Sequence, residues 1–376
     1  MSEKSKKKTD WKQILPLLFF GAIGGVCGFF IMKYVDRYTA QKSLLEVVLL
    51  IIGTFLCIYI AIFVHVIIHE TGHLIFGLLS GYKFSSFRIF SLMWIKEDNK
   101  LKLKRHSLAG TGGQCLMDPP DMVDGKFPVA LCNLGGSLLN ILTALCSLVL
   151  FFLFKDVAIL SIVTLIFAVM GFILGFMNGF PMRLGMVDND GYNALSLGKN
   201  PAAMKSFWAQ MKACALTNKG ARLKDMPAEW FEIPTDEEMK NSMVAAQGVF
   251  ACNRLMDEHR FAEADELMLH MLKIDSGMVG LHRNLMVCDR MYVELISENR
   301  REVIDEMFSK EQKKFMKQMK SFPTVIRTEY VFALLYEKDS QKAEKIKVRF
   351  EKCAKTYPSQ SDIQSERELM EFAEKR

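Results

Sequence analysis

The sequence lacks closely spaced cysteine pairs, and one long stretch of it lacks charge. Its nine cysteines form no Cys-x-x-Cys pair, so neither a zinc ribbon nor a redox motif is indicated. Their scattered, odd number favours a reduced setting for the soluble part. Residues 47–68 contain no Asp, Glu, Lys or Arg, and a run of that length is enough to cross a lipid bilayer.

The net charge is too small to indicate a nucleic-acid-binding protein. It is formally +6, and the lysines flank apolar runs instead of forming one basic patch. This arrangement is typical of the cytosolic loops of a membrane protein. We therefore expect the chain to have a lipid bilayer as a partner, and no nucleic acid.

The apolar runs predict a mainly α-helical membrane protein with four transmembrane helices. The first run follows a basic tail and resembles a signal peptide, but it is long and has no clear cleavage site. We interpret it as an uncleaved helix. The four predicted helices span about residues 14–32, 44–79, 127–154 and 157–177.

These runs divide the chain into parts of different character. Residues 1–43 form a basic tail and the first helix, and residues 44–199 form the membrane core. A linker with a connecting helix is expected over 200–235. The charged remainder, 236–376, has amphipathic helical patterns without any long apolar run.

The last part resembles a tetratricopeptide-like helical array, with a plain helical bundle as the alternative. Residues 261–267 are similar to the second helix of a tetratricopeptide unit, and residues 340–345 and 357–358 repeat the pattern weakly. Such an array would offer a docking surface to a protein partner.

The loop between the second and third apolar runs predicts a small β-hairpin. Residues 84–90 are β-prone, 97–99 form a turn and 101–104 alternate cleanly. One interpretation is a plain cytosolic hairpin. The other is an edge strand that pairs with an extended peptide, with Gly110, Gly112 and Gly113 allowing close approach.

Basic residues predict the orientation of the chain. The amino-terminal tail carries five lysines, and the loop over 82–127 carries seven lysines and arginines when Lys126 is left out. The tail, this loop and the carboxy-terminal domain should therefore be cytosolic. The short four-helix layout suits the cell membrane of a bacterium.

A His-Glu-x-x-His motif at residues 69–73 ends the longest apolar run. On a helix, His69 and His73 share one face, so both can bind one zinc ion while Glu70 serves as general base toward a water molecule. His65 lies two turns from His73, at a distance of about 12 Å, and is too far to share the ion. We interpret it as a packing residue or one that supports the ligands.

A catalytic zinc site needs a third protein ligand, and a carboxylate from another membrane segment is the best candidate. Asp190 follows the fourth apolar run and is itself followed by a glycine, which lets the backbone approach closely. Asp188 is the second candidate. An alternative for both is a solvated turn, since Asp-Asn-Asp-Gly is also a good turn sequence.

Over residues 44–196 the chain resembles the site-2 protease family of intramembrane zinc metalloproteases. The resemblance rests on the motif above, on Asn178 and Pro181 followed by Asp190 and Gly191, and on a Gly-x-x-x-Asn pattern at 136–140. The spacing between Pro181 and Asp190 is longer than is common, and a serine replaces the proline of the last pattern.

The resemblance implies a three-helix metalloprotease core with one catalytic zinc ion. His69, His73 and Asp190 would be its ligands, Glu70 the catalytic residue and Asn140 a substrate-positioning residue. Such enzymes cut membrane-spanning segments of protein or peptide substrates. The resulting prediction is an intramembrane zinc endopeptidase.

Two alternatives use the same residues differently. The first is a membrane-anchored docking protein with an inactive protease core, which the complete set of candidate residues argues against. The second is a membrane metalloprotease that cuts soluble proteins and has a glutamate as third ligand. The third and fourth apolar runs contain no glutamate, which disfavours it.

Overall fold

The structure is a computed structural model that describes residues 11–39, 42–97, 100–105, 112–182 and 188–376. The chain divides into two compact units. One contains the chain up to Ile75 together with Asn133–Ala194, and the other contains Phe76–Cys132 together with Leu195–Arg376. Residues 82–127, which were expected to belong to the membrane core, group instead with the carboxy-terminal helices.

Long apolar helices build the first unit. They are α1 (Trp11–Asp36), α2 (Leu44–Leu79), α3 (Ala130–Leu153) and α4 (Ala158–Gly179), followed by α5 (Asp190–Lys199). Over the described residues, α2, α3 and α4 are long and apolar enough to cross a membrane. A helix forms at the first predicted span as well, but its crossing of the membrane stays a prediction.

The exposed surface of α2 is the kind of apolar surface that lipid covers. Only 11% of the most apolar 18-residue stretch of this helix is buried inside the protein. Large side chains such as Leu49, Phe55 and Tyr59 are more than half exposed. A continuous apolar surface of this kind is unfavourable in water and is satisfied by lipid.

The predicted hairpin is part of a larger antiparallel sheet. Its strands are β1 (Lys83–Ile89), β2 (Leu92–Glu97), β3 (Lys100–Arg105) and β4 (Gly113–Asp118), in the order β3-β2-β1-β4. The two expected strands correspond to β1 and β3, and β2 lies between them and pairs with both. The expectation of a two-stranded hairpin did not include β2 or β4.

The edges of this sheet bear on the peptide-pairing hypothesis. Strands β3 and β4 are the outer strands. Gly110 and the rest of 106–111 lie outside the described residues. Pairing of a substrate with one of these strands stays a prediction.

The carboxy-terminal part of the second unit is helical, as expected from its amphipathic patterns. Short 3-10 turns lie between its first two helices, and a π-helical segment (Phe332–Tyr336) follows α12. The helices are α6 (Pro201–Thr217), α7 (Ser242–Asp257), α8 (Phe261–Lys273), α9 (Gly280–Ile296), α10 (Arg301–Met307), α11 (Lys310–Gln318), α12 (Pro323–Val331), α13 (Ser340–Ala354) and α14 (Gln360–Ala373).

A buried ion-pair cluster links three of these helices. Arg327 on α12 is fully buried and pairs with Asp289 on α9 and Glu366 on α14, and its guanidinium lies 4.4 Å from the centre of the Tyr292 ring. Removing one partner of such a cluster leaves the other charges buried and uncompensated. The cluster therefore holds α9, α12 and α14 in register.

We expect Arg327→Ala to lower the free energy of unfolding by about 3–5 kcal/mol, because it leaves two carboxylates without their cation. Lys205→Ala is the control, since Lys205 pairs with Glu232 at an exposed site and should cost less than about 1 kcal/mol. Urea unfolding of the full chain in detergent, followed by the fluorescence of Trp208 and Trp230, measures both. Equal effects of the two substitutions would contradict the role of the cluster.

Candidate metal centre

The two histidines of the motif lie on one face of α2, as their spacing requires. Their Nε2 atoms are 3.1 Å apart. Their side chains are 11% and 14% exposed, so both rings are largely shielded but still reachable. The pair therefore presents two imidazole nitrogens to one point.

Asp190 completes the cluster from the start of α5. Its Oδ2 atom lies 3.0 Å from His69 Nε2 and 3.3 Å from His73 Nε2. Among the described residues, this trio forms the group whose ligand-type atoms could hold one metal ion. Asp188, the second sequence candidate, is partly buried but is not part of the group.

Asn189 holds the turn that positions Asp190. Its side-chain nitrogen donates to the carbonyls of Met177 and Phe180 at 2.8 and 2.6 Å. Its side-chain oxygen accepts from the backbone N–H groups of Met182 and Tyr192, both at 2.9 Å. The second of these bonds caps the amino terminus of α5. The buried side chain of Asn189 thus connects the end of α4 to the start of α5, where Asp190 lies.

Glycines allow the backbones around the site to come into contact. A side chain at Gly191 would clash with the backbone of Gly179, so only glycine lets α5 begin against the end of α4. A side chain at Gly72 would likewise meet the backbone of Gly135 on α3. Gly136 faces the His69 ring, and a Cβ atom there would lie 2.5 Å from two of its atoms.

The distances within the trio fit a zinc site. In tetrahedral zinc with bonds of about 2.0–2.1 Å, neighbouring ligand atoms are about 3.3 Å apart. The three ligand atoms here are separated by 3.0, 3.1 and 3.3 Å. Two imidazoles and one carboxylate leave a fourth position for water, which is the donor set of catalytic zinc sites.

The charge state of Asp190 suits a metal ligand. Burial acts to raise the pKa of the Asp190 carboxyl, but its close polar contacts with the imidazole rings of His69 and His73 outweigh burial and hold the pKa below its usual range. The group is therefore ionised at neutral pH, which is the form that binds cations.

The other two predicted site residues, Glu70 and Asn140, are also buried. Glu70 lies between the histidines on α2 and is 6% exposed. Asn140 on α3 is fully buried, and its side-chain nitrogen lies 3.5 Å from Nδ1 of His69. Asn178 donates a hydrogen bond to the carbonyl of Leu174 at 3.0 Å.

Two contributions were not assigned from sequence. The hydrogen bonds by which Asn189 holds the turn before Asp190 were not predicted, although an asparagine directly before a helix start is a recognisable capping signal. The contact of His65 with Asn140 joins residues 75 positions apart, so no local pattern could have shown it.

Comparisons of the chain with protein-family models, with curated proteins and with solved structures find no match. The site must therefore be interpreted from its own geometry and chemistry.

We expect His69→Ala, His73→Ala and Asp190→Ala each to remove most bound zinc, because a three-ligand site that loses one ligand binds far more weakly. Asp188→Ala is the matched control and should retain zinc. Metal analysis of the purified full chain measures all four. If Asp188→Ala empties the site while Asp190→Ala does not, the third ligand has been misassigned.

Proposed function

We propose that this protein is an intramembrane zinc endopeptidase that hydrolyses a peptide bond in or near a membrane-spanning segment of a substrate protein or peptide. The observation that carries the proposal is the convergence of His69, His73 and Asp190 within 3.3 Å of one another. Two of these residues are on α2, a helix that is apolar enough to cross a membrane. The resemblance to the site-2 protease family supports the same activity.

His69, His73 and Asp190 would hold the zinc ion. When bound, zinc supplies a Lewis acid that polarises the scissile carbonyl and makes water a stronger acid at neutral pH. The carboxylate of Glu70, buried beside the two histidines on the same helix, accepts the proton of the attacking water. The same group then donates that proton to the leaving amine.

The location of the site determines the class of substrate. The apolar surface of α2 exposes large side chains suited to lipid, and an intramembrane substrate reaches such a site from the bilayer. A transmembrane helix hides its peptide bonds in backbone hydrogen bonds, so it must unwind locally before hydrolysis. We therefore expect substrates whose membrane segments contain residues that weaken a helix, such as glycine or proline.

We expect Glu70→Gln to abolish proteolysis while zinc and the fold are retained, because an amide cannot accept the proton of water. The loss should be at least about 100-fold. Glu46→Gln is the control, since Glu46 lies at the exposed start of the same helix, where it bonds Ser43. Cleavage of a membrane-spanning substrate in detergent or vesicles is the assay. Activity of Glu70→Gln near that of the wild type would contradict the general-base role.

The proposed orientation places the amino terminus, the 82–127 loop and the carboxy-terminal domain in the cytosol of a bacterial cell. Its support is the concentration of basic residues in the tail and the loop. It requires an even number of crossings between the tail and the loop, and therefore requires α1 to span the membrane together with α2.

Reporter fusions test this topology. We expect fusions at the amino terminus, at residue 100 and at residue 376 all to report a cytosolic location, because the basic segments resist translocation. A fusion at residue 40, between α1 and α2, is the control and should report the opposite side. A fusion at residue 376 that reports the outside would show that the number of crossings has been miscounted.

We further propose that the carboxy-terminal helices form a tetratricopeptide-like docking domain for a protein partner. Its support is that α8 begins at Phe261 and α13 at Ser340, where the repeat-like patterns begin. The domain also contains a cavity of about 540 Å³. Polar groups in its lining include His282, Asp289, Thr324, Arg327 and Asp362.

A further inference from the structure

His65 lies one helical turn before His69 on α2 and is fully buried. Its Nε2 atom is 2.8 Å from the backbone carbonyl of Phe167 on α4, and its Nδ1 atom is 3.1 Å from the side-chain oxygen of Asn140 on α3. The room for its ring comes from Gly171, where a Cβ atom would lie 2.6 Å from His65 Cε1. Each nitrogen of this buried ring therefore has a polar partner at hydrogen-bonding distance.

The carbonyl of Phe167 determines which nitrogen of His65 carries a proton. A carbonyl oxygen only accepts hydrogen bonds, so His65 Nε2 must carry a proton. In a neutral imidazole the other nitrogen, Nδ1, is then an acceptor and needs a donor opposite it. The group opposite is the Asn140 amide, whose nitrogen is its only donor.

The same reasoning extends to His69. The distances above have the Asn140 oxygen at His65 Nδ1 and its nitrogen at His69 Nδ1, and a half-turn of the amide exchanges the two atoms. After this half-turn the nitrogen faces His65, and the oxygen faces His69 Nδ1, which then carries a proton and donates it. The proton is thereby kept off His69 Nε2, the atom that faces His73 and Asp190. A bare Nε2 is the form of histidine that binds a metal ion.

The orientation before the half-turn is chemically unfavourable. It has oxygen at His65 Nδ1 and nitrogen at His69 Nδ1, so both nitrogens of the buried His65 ring would have to donate, and the ring would be charged. It would also place the proton of His69 on Nε2, where it blocks metal binding. The nitrogen and oxygen of an amide have nearly the same shape, so a half-turn exchanges them in place.

We propose that Asn140 and His65 are positioning residues, which keep the proton of His69 on Nδ1 through a hydrogen-bond chain that begins at the Phe167 carbonyl and leave its Nε2 free for metal. The proposal rests on the zinc function proposed above. It gives Asn140 a role different from the substrate-positioning role that the family resemblance implies. Both polar atoms of its fully buried amide are engaged by histidine rings.

Zinc affinity tests the proposal directly. Full-length protein in detergent is titrated with zinc against a competing chelator. We expect Asn140→Leu and His65→Phe to weaken zinc binding by about 10- to 100-fold, which is the usual effect of losing such a supporting hydrogen bond. Asn140→Asp keeps an oxygen acceptor for His69 Nδ1, and His65→Gln keeps one donor and one acceptor, so both should bind zinc more tightly than their apolar counterparts.

A packing role for these residues predicts the reverse order. Leucine and phenylalanine would then be tolerated, because they fill similar space in an apolar bundle, whereas an aspartate would bury a charge. Ser147→Ala is the matched control, since Ser147 is a buried polar residue on α3 whose hydroxyl donates to the Thr143 carbonyl of its own helix. Thermal unfolding without zinc identifies any variant that does not fold, and the other substituted position then carries the test.

The outcomes separate this proposal from the function on which it rests. Wild-type zinc affinity in both Asn140→Leu and His65→Phe overturns the hydrogen-bond chain and leaves the protease assignment intact. Absence of zinc binding by the wild-type chain overturns both. Weaker zinc binding by the apolar variants, with recovery in Asn140→Asp and His65→Gln, supports the chain.

Discussion

Two imidazole nitrogens and a carboxylate oxygen lie within 3.3 Å of one another in a largely buried place. Lone pairs brought this close repel each other unless a proton or a cation lies between them. A divalent ion bound among them would satisfy all three atoms at once. The surrounding helices therefore have to hold His69, His73 and Asp190 together against their own repulsion.

That constraint is met by direct contact between helix backbones. Gly72 meets Gly135 where α2 crosses α3, and Gly191 meets Gly179 where α5 begins against α4. Small residues allow such approach between membrane helices, where packing and hydrogen bonds replace the hydrophobic effect as the driving force. Backbone contact also restricts sliding, so the candidate ligands on α2 and α5 keep their separation.

Local patterns predicted much of the fold and of the candidate site. The second apolar run forms a helix over Leu44–Leu79, as expected, and the motif spacing places His69 and His73 on one face. Strand β4 was not predicted, because its pairing with β1 depends on residues some 30 positions away that a local pattern does not show. Strand β2 was not predicted either, so the number of strands was wrong, although the presence of β structure was confirmed.

The contacts of His65 show why part of a site escapes sequence reasoning. Its distance from His73 along the helix argues against a shared metal ion, and the packing of α2 against α3 and α4 gives it its partners. Burying a polar ring and an amide among apolar helices costs free energy that a leucine and a phenylalanine would not cost. If these two positions served stability alone, apolar residues such as leucine and phenylalanine would suit them better. In the arrangement proposed above, the hydrogen bonds that connect the Phe167 carbonyl to His69 leave Nε2 of His69 without a proton, so that the three candidate ligand atoms can share one cation.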